Sequence, residues 1–391
     1  MNSQNTPVHI RLWHHDFWRM AIANFLLAMS VYILIPVLPA WMMECRNLGY
    51  FETGIAFGAF GVGLFLFGVF TSFLVQRYRR NMICIWAIAG LMACIGLLYY
   101  FDLYKGVEDS FIFVSLQRLL LGASFGLAQM VLSSTLIIDT CESFQRTEAN
   151  HSASWFSRFA LSLGPMTGLI LYPLTGFSTV LVVAGGCALM AVILILLVHF
   201  PFRAPDDHVS MVSLDRFFLP HGFILFINLM LITIATGLLL SLSHEVRFYA
   251  MMMVGFLLAI LAQRFVFRQA ELKSEVVSGL ILMTAAVLML LTRSQDIVAF
   301  VSPLFIGFGL GIIGSRFLLF FIKLSRHCQR GTSQSTYMLG WESGLAIGIG
   351  LGYAVCQTEP RFVLLSALVL ILAALLFYQF AHSWFLTHKN R

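Results

Sequence analysis

The sequence predicts an all-α integral membrane protein in which twelve transmembrane helices form two pseudo-symmetric six-helix bundles. Three observations carry that expectation: an apolar composition, regularly interrupted hydrophobic runs, and a motif that recurs half a chain apart. Of 391 residues, 59% are hydrophobic and 11% charged, with a mean hydropathy of +0.88. A soluble domain carries about 25% charged residues. A hydrocarbon layer ~30 Å thick takes roughly 20 helical residues per crossing, so twelve crossings use about 240 residues and leave short loops.

The runs follow in order. Residues 17–42 form the first span; the run is too long for a signal-peptide core and residues 1–16 are polar, so it is expected to be retained. The second, 51–75, stops at the cationic cluster Arg77, Arg79 and Arg80, beyond which 82–101 is the third. Spans four to six occupy 111–138, 153–172 and 179–200. A polar stretch at 201–221, with Pro201, Pro205, Asp206, Asp207 and Asp215, then breaks the pattern. The second group comprises 222–242, 248–267, 276–291, 297–324, 337–356 and 362–385, of which the second and third are short and flank the charged segment 264–275. The expected organisation is a cytoplasmic segment 1–16, a bundle 17–200, a cytoplasmic linker 201–221, a bundle 222–386 and a tail 387–391.

Lys and Arg gather in cytoplasmic loops. With the N-terminus inside, fourteen cations lie on the inner side: Arg11, Arg77, Arg79, Arg80, Arg146, Arg203, Arg216, Arg264, Arg268, Lys273, Arg326, Arg330, Lys389 and Arg391. Five lie outside: Arg46, Lys105, Arg247, Arg293 and Arg361. Both termini are therefore expected in the cytoplasm, and the short loops suggest a bacterial inner membrane. The net charge of +6 is scattered over loops and builds no basic face, which argues against nucleic acid as a partner. Seven cysteines show neither CxxC nor metal spacing, His14 and His15 have no metal spacing, and no nucleophile, cofactor or ATP-binding motif is present. The expected partners are a small solute, protons and the lipid bilayer, with the chain a monomer, no cofactor and no enzymatic activity.

The halves look like copies. Gln145-Arg146 precedes a segment running from Trp155 to Gly164, and Gln329-Arg330 precedes one from Trp341 to Gly350, with the same spacing from Trp to Gly. A weaker echo sets Asn24-Phe25-Leu26-Leu27 beside Asn228-Leu229-Met230-Leu231.

The segment from Ser72 to Asn81, with Gln76, Arg77, Arg79 and Arg80, resembles the Gly-x-Leu-Ala-Asp-Arg-x-Gly-Arg-Arg loop of the major facilitator superfamily. It departs at Gln76, where the family has Asp, and at Ser72 and Arg79, which replace glycines. Arg118-x-x-x-Gly122-x-x-x-Gly126 is similar to the family's arginine-glycine motif, whose arginine is implicated in proton coupling. Gly164-Pro165-Met166-Thr167-Gly168 resembles the antiporter motif, with Ala160 in place of an earlier glycine. The resemblance spans nearly the whole chain. It implies alternating access by two six-helix bundles about a midplane site, with proton-coupled efflux of a drug or metabolite. The alternatives are an importer of a small metabolite, an anionic one included, and a non-transporting receptor or lipid-handling protein.

Ionisable side chains at membrane depth are functional candidates by default. Arg118, Gly122, Gln129 and Ser133 share one face of span four; the glycines serve equally well as helix contacts. Arg316 and Glu342 are expected at equal depth on consecutive helices, roughly 8 to 12 Å below the inner surface at ~1.5 Å per residue. That suits an ion pair, either as a clasp or as a proton-coupling pair. Arg158 could bind a carboxylate or phosphate, or clamp Asp139 or Glu148. Asn24, Tyr32, Asn228, Thr233 and Thr236 are the polar residues of spans one and seven, facing a cavity or a neighbouring helix. Trp155 and Trp341 either stack on substrate or anchor at the interface. Gln76, Arg77, Arg80, Gly122, Gly126, Arg158, Gly164, Pro165 and Gly168 form the conformational set.

Overall fold

The computed structural model describes residues 11–103, 110–200, 210–267, 271–293 and 295–389. Lys105, Pro201, Arg203, Pro205, Asp206, Asp207, Arg268 and Arg391 lie outside the described residues, as does most of the N-terminal segment. The described chain forms twelve long helices. Those of the first half are α1 (His15–Arg46), α2 (Tyr50–Arg77), α3 (Arg80–Leu103), α4 (Phe111–Asp139), α5 (Arg146–Thr175) and α6 (Phe177–Leu196). Those of the second are α7 (Phe223–Ser241), α8 (Val246–Phe265), α9 (Leu272–Thr292), α10 (Asp296–Leu324), α11 (Arg330–Ala354) and α12 (Pro360–His388).

Ten of these are long and apolar enough to cross a membrane by composition. The other two, α5 and α11, are 30 and 25 residues long but carry more polar side chains. They are the fifth helix of each half, where the repeated Trp-to-Gly segment lies. Their polarity is tolerated because those side chains point into protein rather than lipid.

Packing reproduces the repeat helix by helix. In the first half α1 packs on α5 and α6, α2 on α4, and α3 on α4 and α6. Six helices on, α7 packs on α11 and α12, α8 on α10, and α9 on α10 and α12. Small residues set the close approaches. A Cβ on Gly122 or Gly126 of α4 would strike the carbonyls of Phe60 or Leu64 on α2, so these glycines are helix contacts. Between halves, α2 meets α11, α5 meets α8 and α10, and α4 meets α11.

Two helices are locally broken. Helix α1 loses its helical pattern over residues 33–36, where Pro36 supplies no backbone donor. The break lies against Gly164 and Gly168 of α5: a Cβ on Gly164 would sit 3.0 Å from the Tyr32 Cβ and 3.1 Å from the Ile33 nitrogen. Helix α4 widens into a π-turn at Leu132–Leu136, a distortion common at functional sites.

The ninth span, expected as a short run at 276–291, is the 21-residue helix α9, which begins within the charged segment. Glu275 enters the helix because Arg316 of α10 covers its carboxylate.

Candidate functional site at the bundle centre

A small cavity lies where the halves meet, lined from the first half by Asn24, Gln129, Ser133, Asn150 and Arg158 and from the second by Gln334, Tyr337, Trp341 and Glu342. Its volume is ≈ 30 Å³, room for about two waters, so the helices are closed around it.

Arg158 is the cationic wall. Its guanidinium lies 4.6 Å from the Trp155 ring centre and 5.7 Å from that of Trp341, and Nη2 donates to the Tyr337 hydroxyl at 3.0 Å. The repeated tryptophans are thus buried at the centre and do not serve as interfacial anchors. Gly314 of α10 makes the room: a Cβ there would meet the Trp341 ring at 2.7 Å and Arg158 Nε at 2.9 Å. Arg158 Nε and Nη1 are buried without a hydrogen-bond acceptor among the described residues. The expected clamp on Asp139 does not form, because Asp139 pairs with Arg80 at the ends of α4 and α3.

Glu342 is the anionic wall, 4% exposed. It accepts a hydrogen bond from the Tyr32 hydroxyl, a bond that crosses between the halves. Beside them, Asn24 donates to the Ala153 carbonyl at 3.0 Å and the Ser157 hydroxyl at 2.8 Å, and accepts from Gln129 Nε2 at 2.9 Å. One asparagine thus ties α1, α4 and α5 together. Ser133 donates to the Gln129 carbonyl at 2.7 Å within α4.

Several candidates go elsewhere. Arg316 does not meet Glu342: its Nε donates to Glu275 at 2.6 Å, inside the second half. Equal depth on consecutive helices left the azimuth undetermined, and α10 turns Arg316 toward α9. Asn228 donates to the Ala374 carbonyl at 3.0 Å and Thr236 to the Ile232 carbonyl at 3.0 Å, so both serve helix packing rather than the cavity. Thr233 bonds its own helix and the Gly340 carbonyl at 3.2 Å. Arg118 is not among the cavity-lining residues. Its guanidinium lies over Phe57 at 5.2 Å and Phe60 at 4.8 Å, with Nε and Nη1 lacking acceptors among the described residues.

At the face bearing the helix ends nearest both termini, here the terminal face, Gln76 donates to Ser72 at 2.9 Å. A carboxylate does lie beside this segment: Asp215 accepts from Ser72 at 3.4 Å and from Thr332 of α11 at 2.8 Å. Asp215 had stood only as part of a polar linker. Tyr337, Asn150, Gln334, Gly314 and Glu275 were likewise missed. Of these, the Tyr337 position could be found from Trp341, which it precedes by one helical turn.

Two like halves of six long helices meeting at a small cavity are the architecture of a membrane carrier family. The chain belongs to the Major Facilitator Superfamily, whose family model matches residues 20–349. As a member of that family it is a transporter and not an enzyme. Among solved structures it is similar to a bacterial homologue of the iron transporter ferroportin in an outward-facing state, at 15% identity and TM-score 0.69, covering 95% of this chain and 99% of the other. It is also similar to a variant of the nucleoside transporter NupG (14%, TM-score 0.63, 93% and 100%). A third is the human organic anion transporter MFSD10 (15%, TM-score 0.67, 92% and 98%). At these identities the likeness is one of fold. No curated protein matches the sequence at a significant level.

Proposed function

We propose that this protein carries a small organic anion together with protons, the two half-bundles rocking about the central cavity with the termini in the cytoplasm. The observation that carries the reading is Arg158: a buried guanidinium between two tryptophans, in the cavity wall, with two nitrogen donors that find no acceptor among the described residues. A carboxylate or phosphate oxygen supplies the acceptors those donors lack, and an aromatic or apolar body fits between the indoles.

The coupling follows from charge. Glu342 shares the cavity, so a proton on it removes a negative charge from the space the anion enters. Anion and proton therefore favour each other's binding, and by linkage the coupling is reciprocal. That is the sign required of a symporter, which accumulates substrate down an inward proton gradient. Tyr32 holds the Glu342 carboxylate across the halves, so protonation also weakens a contact of the closed state.

A second reading, proton-driven export, is favoured by the Gly164-Pro165-x-x-Gly168 segment, which sits against the break in α1. The discriminating experiment uses proteoliposomes with an internal pH dye and a panel of organic anions and cations. Acidification of the lumen on external addition of an anion supports symport. Alkalinisation driven by a cationic or neutral compound supports export, and silence across the panel overturns proton coupling.

A further inference from the structure

A second cavity, of about 190 Å³, lies at the terminal face between the halves. Arg80, Arg146, Arg216 and Arg330 line it together with one carboxylate, Asp139, which Arg80 engages, and Arg216 Nε lies 3.9 Å from the neighbouring Asp215 carboxylate. Arg80, Arg146 and Arg330 are each the first residue of a helix: α3, α5 and α11. A helix N-terminus carries roughly half a positive charge on its open N–H groups, so three dipoles add to the four guanidinium groups. Two donors here lack acceptors. Ser134, on the π-turn of α4, is 6% exposed and its hydroxyl has no partner among the described residues; the Arg146 Nε is also buried without one.

We propose that this vestibule is a second anion site, separate from the central cavity, that takes a phosphate group. Converging cations, helix N-termini and unfilled donors together call for a ligand with several acceptor oxygens, which a phosphate supplies and a halide does not. Arg80 and Arg146 belong to the first half and Arg330 to the second, so the bound phosphate bridges the halves and holds this face closed. The phosphate comes either from solution or from an anionic lipid headgroup.

The test uses the full chain in phosphatidylcholine nanodiscs, titrated with inorganic phosphate by calorimetry against sodium chloride at equal ionic strength. Saturable phosphate binding is expected. It should weaken about tenfold in Arg146→Gln and in Arg330→Gln, each having lost a charge-assisted hydrogen bond, and remain unchanged in Arg247→Gln, an exposed cation that lines neither cavity. Ser134→Ala, which spares every charge, should weaken it by a few-fold. Hydrogen exchange of the start of α11 should slow when phosphate is added. Repeating the titration with phosphatidic acid in the disc distinguishes the sources: competition assigns the site to a headgroup, and its absence to free phosphate. Binding that chloride reproduces, or that Arg158→Gln abolishes while Arg146→Gln spares, overturns the site. Unchanged exchange in α11 overturns the bridge.

Discussion

The Tyr32 hydroxyl donates to the Glu342 carboxylate from 310 positions away in the chain, joining the broken first helix of one half to the polar fifth helix of the other. It is a contact across the interface between the halves. It also involves a carboxylate lining the central cavity. Coupling between proton and substrate is therefore expected to concentrate here.

Glu342→Gln keeps the shape and the hydrogen bond to Tyr32 but fixes the charge at zero. Proton-driven accumulation should fall to the level of empty liposomes, while exchange of internal for external substrate continues. Accumulation surviving in this variant would move the coupling site to Arg118.

Arg158→Gln should weaken anion binding about tenfold to a hundredfold, the range for losing one or two charge-assisted hydrogen bonds. Arg158→Lys should recover only part of this, because a point charge neither fills the gap between two indoles nor offers a fork. Tryptophan fluorescence titration reads both, since Trp155 and Trp341 flank the site. Equal affinity in all three proteins would count against an anionic substrate.

Arg316→Gln leaves the Glu275 side chain, 1% exposed, without its cation. Stranding a buried charge costs about 3 kcal/mol or more, whereas removing both partners costs far less. Thermal unfolding in detergent should show a lower midpoint for Arg316→Gln and recovery in the double variant Glu275→Gln/Arg316→Gln, with transport retained. Loss of transport in a stable double variant would return Arg316 to the coupling machinery.

Gly164→Ala places a methyl 3.0 Å from the Tyr32 Cβ. The α1 break must then give way by a few tenths of an ångström, and the Tyr32 hydroxyl, carried on α1, shifts with it. The expected result is normal expression with transport reduced several-fold. Tyr32→Phe should reproduce that loss without the packing change, and wild-type rates in both would show that the inter-half bond is dispensable.

Asp215→Ala removes the acceptor shared by Ser72 and Thr332. The terminal face should open more readily, seen as faster hydrogen exchange in residues 330–336. Gln76→Asp in that background should restore protection in part by returning a carboxylate close to Ser72. Failure to alter exchange would limit Asp215 to a local turn.

The membrane class, the helix order and the twofold repeat were legible in the sequence because they rest on composition and periodicity, which a bilayer enforces along the chain. The Trp155 and Trp341 segments were legible for a similar reason, being copies at one spacing. Position along each helix could also be read, at ~1.5 Å per residue. Azimuth could not. Whether Arg316 turns toward Glu342 or Glu275, and whether Asn228 faces a cavity or the Ala374 carbonyl, depends on helix rotation fixed by distant packing. The tertiary structure alone brought Asp215 to Ser72, which Gln76 also bonds, and set Arg158 against Trp341 of the opposite half. These contacts join residues far apart in the chain, and no local propensity encodes them.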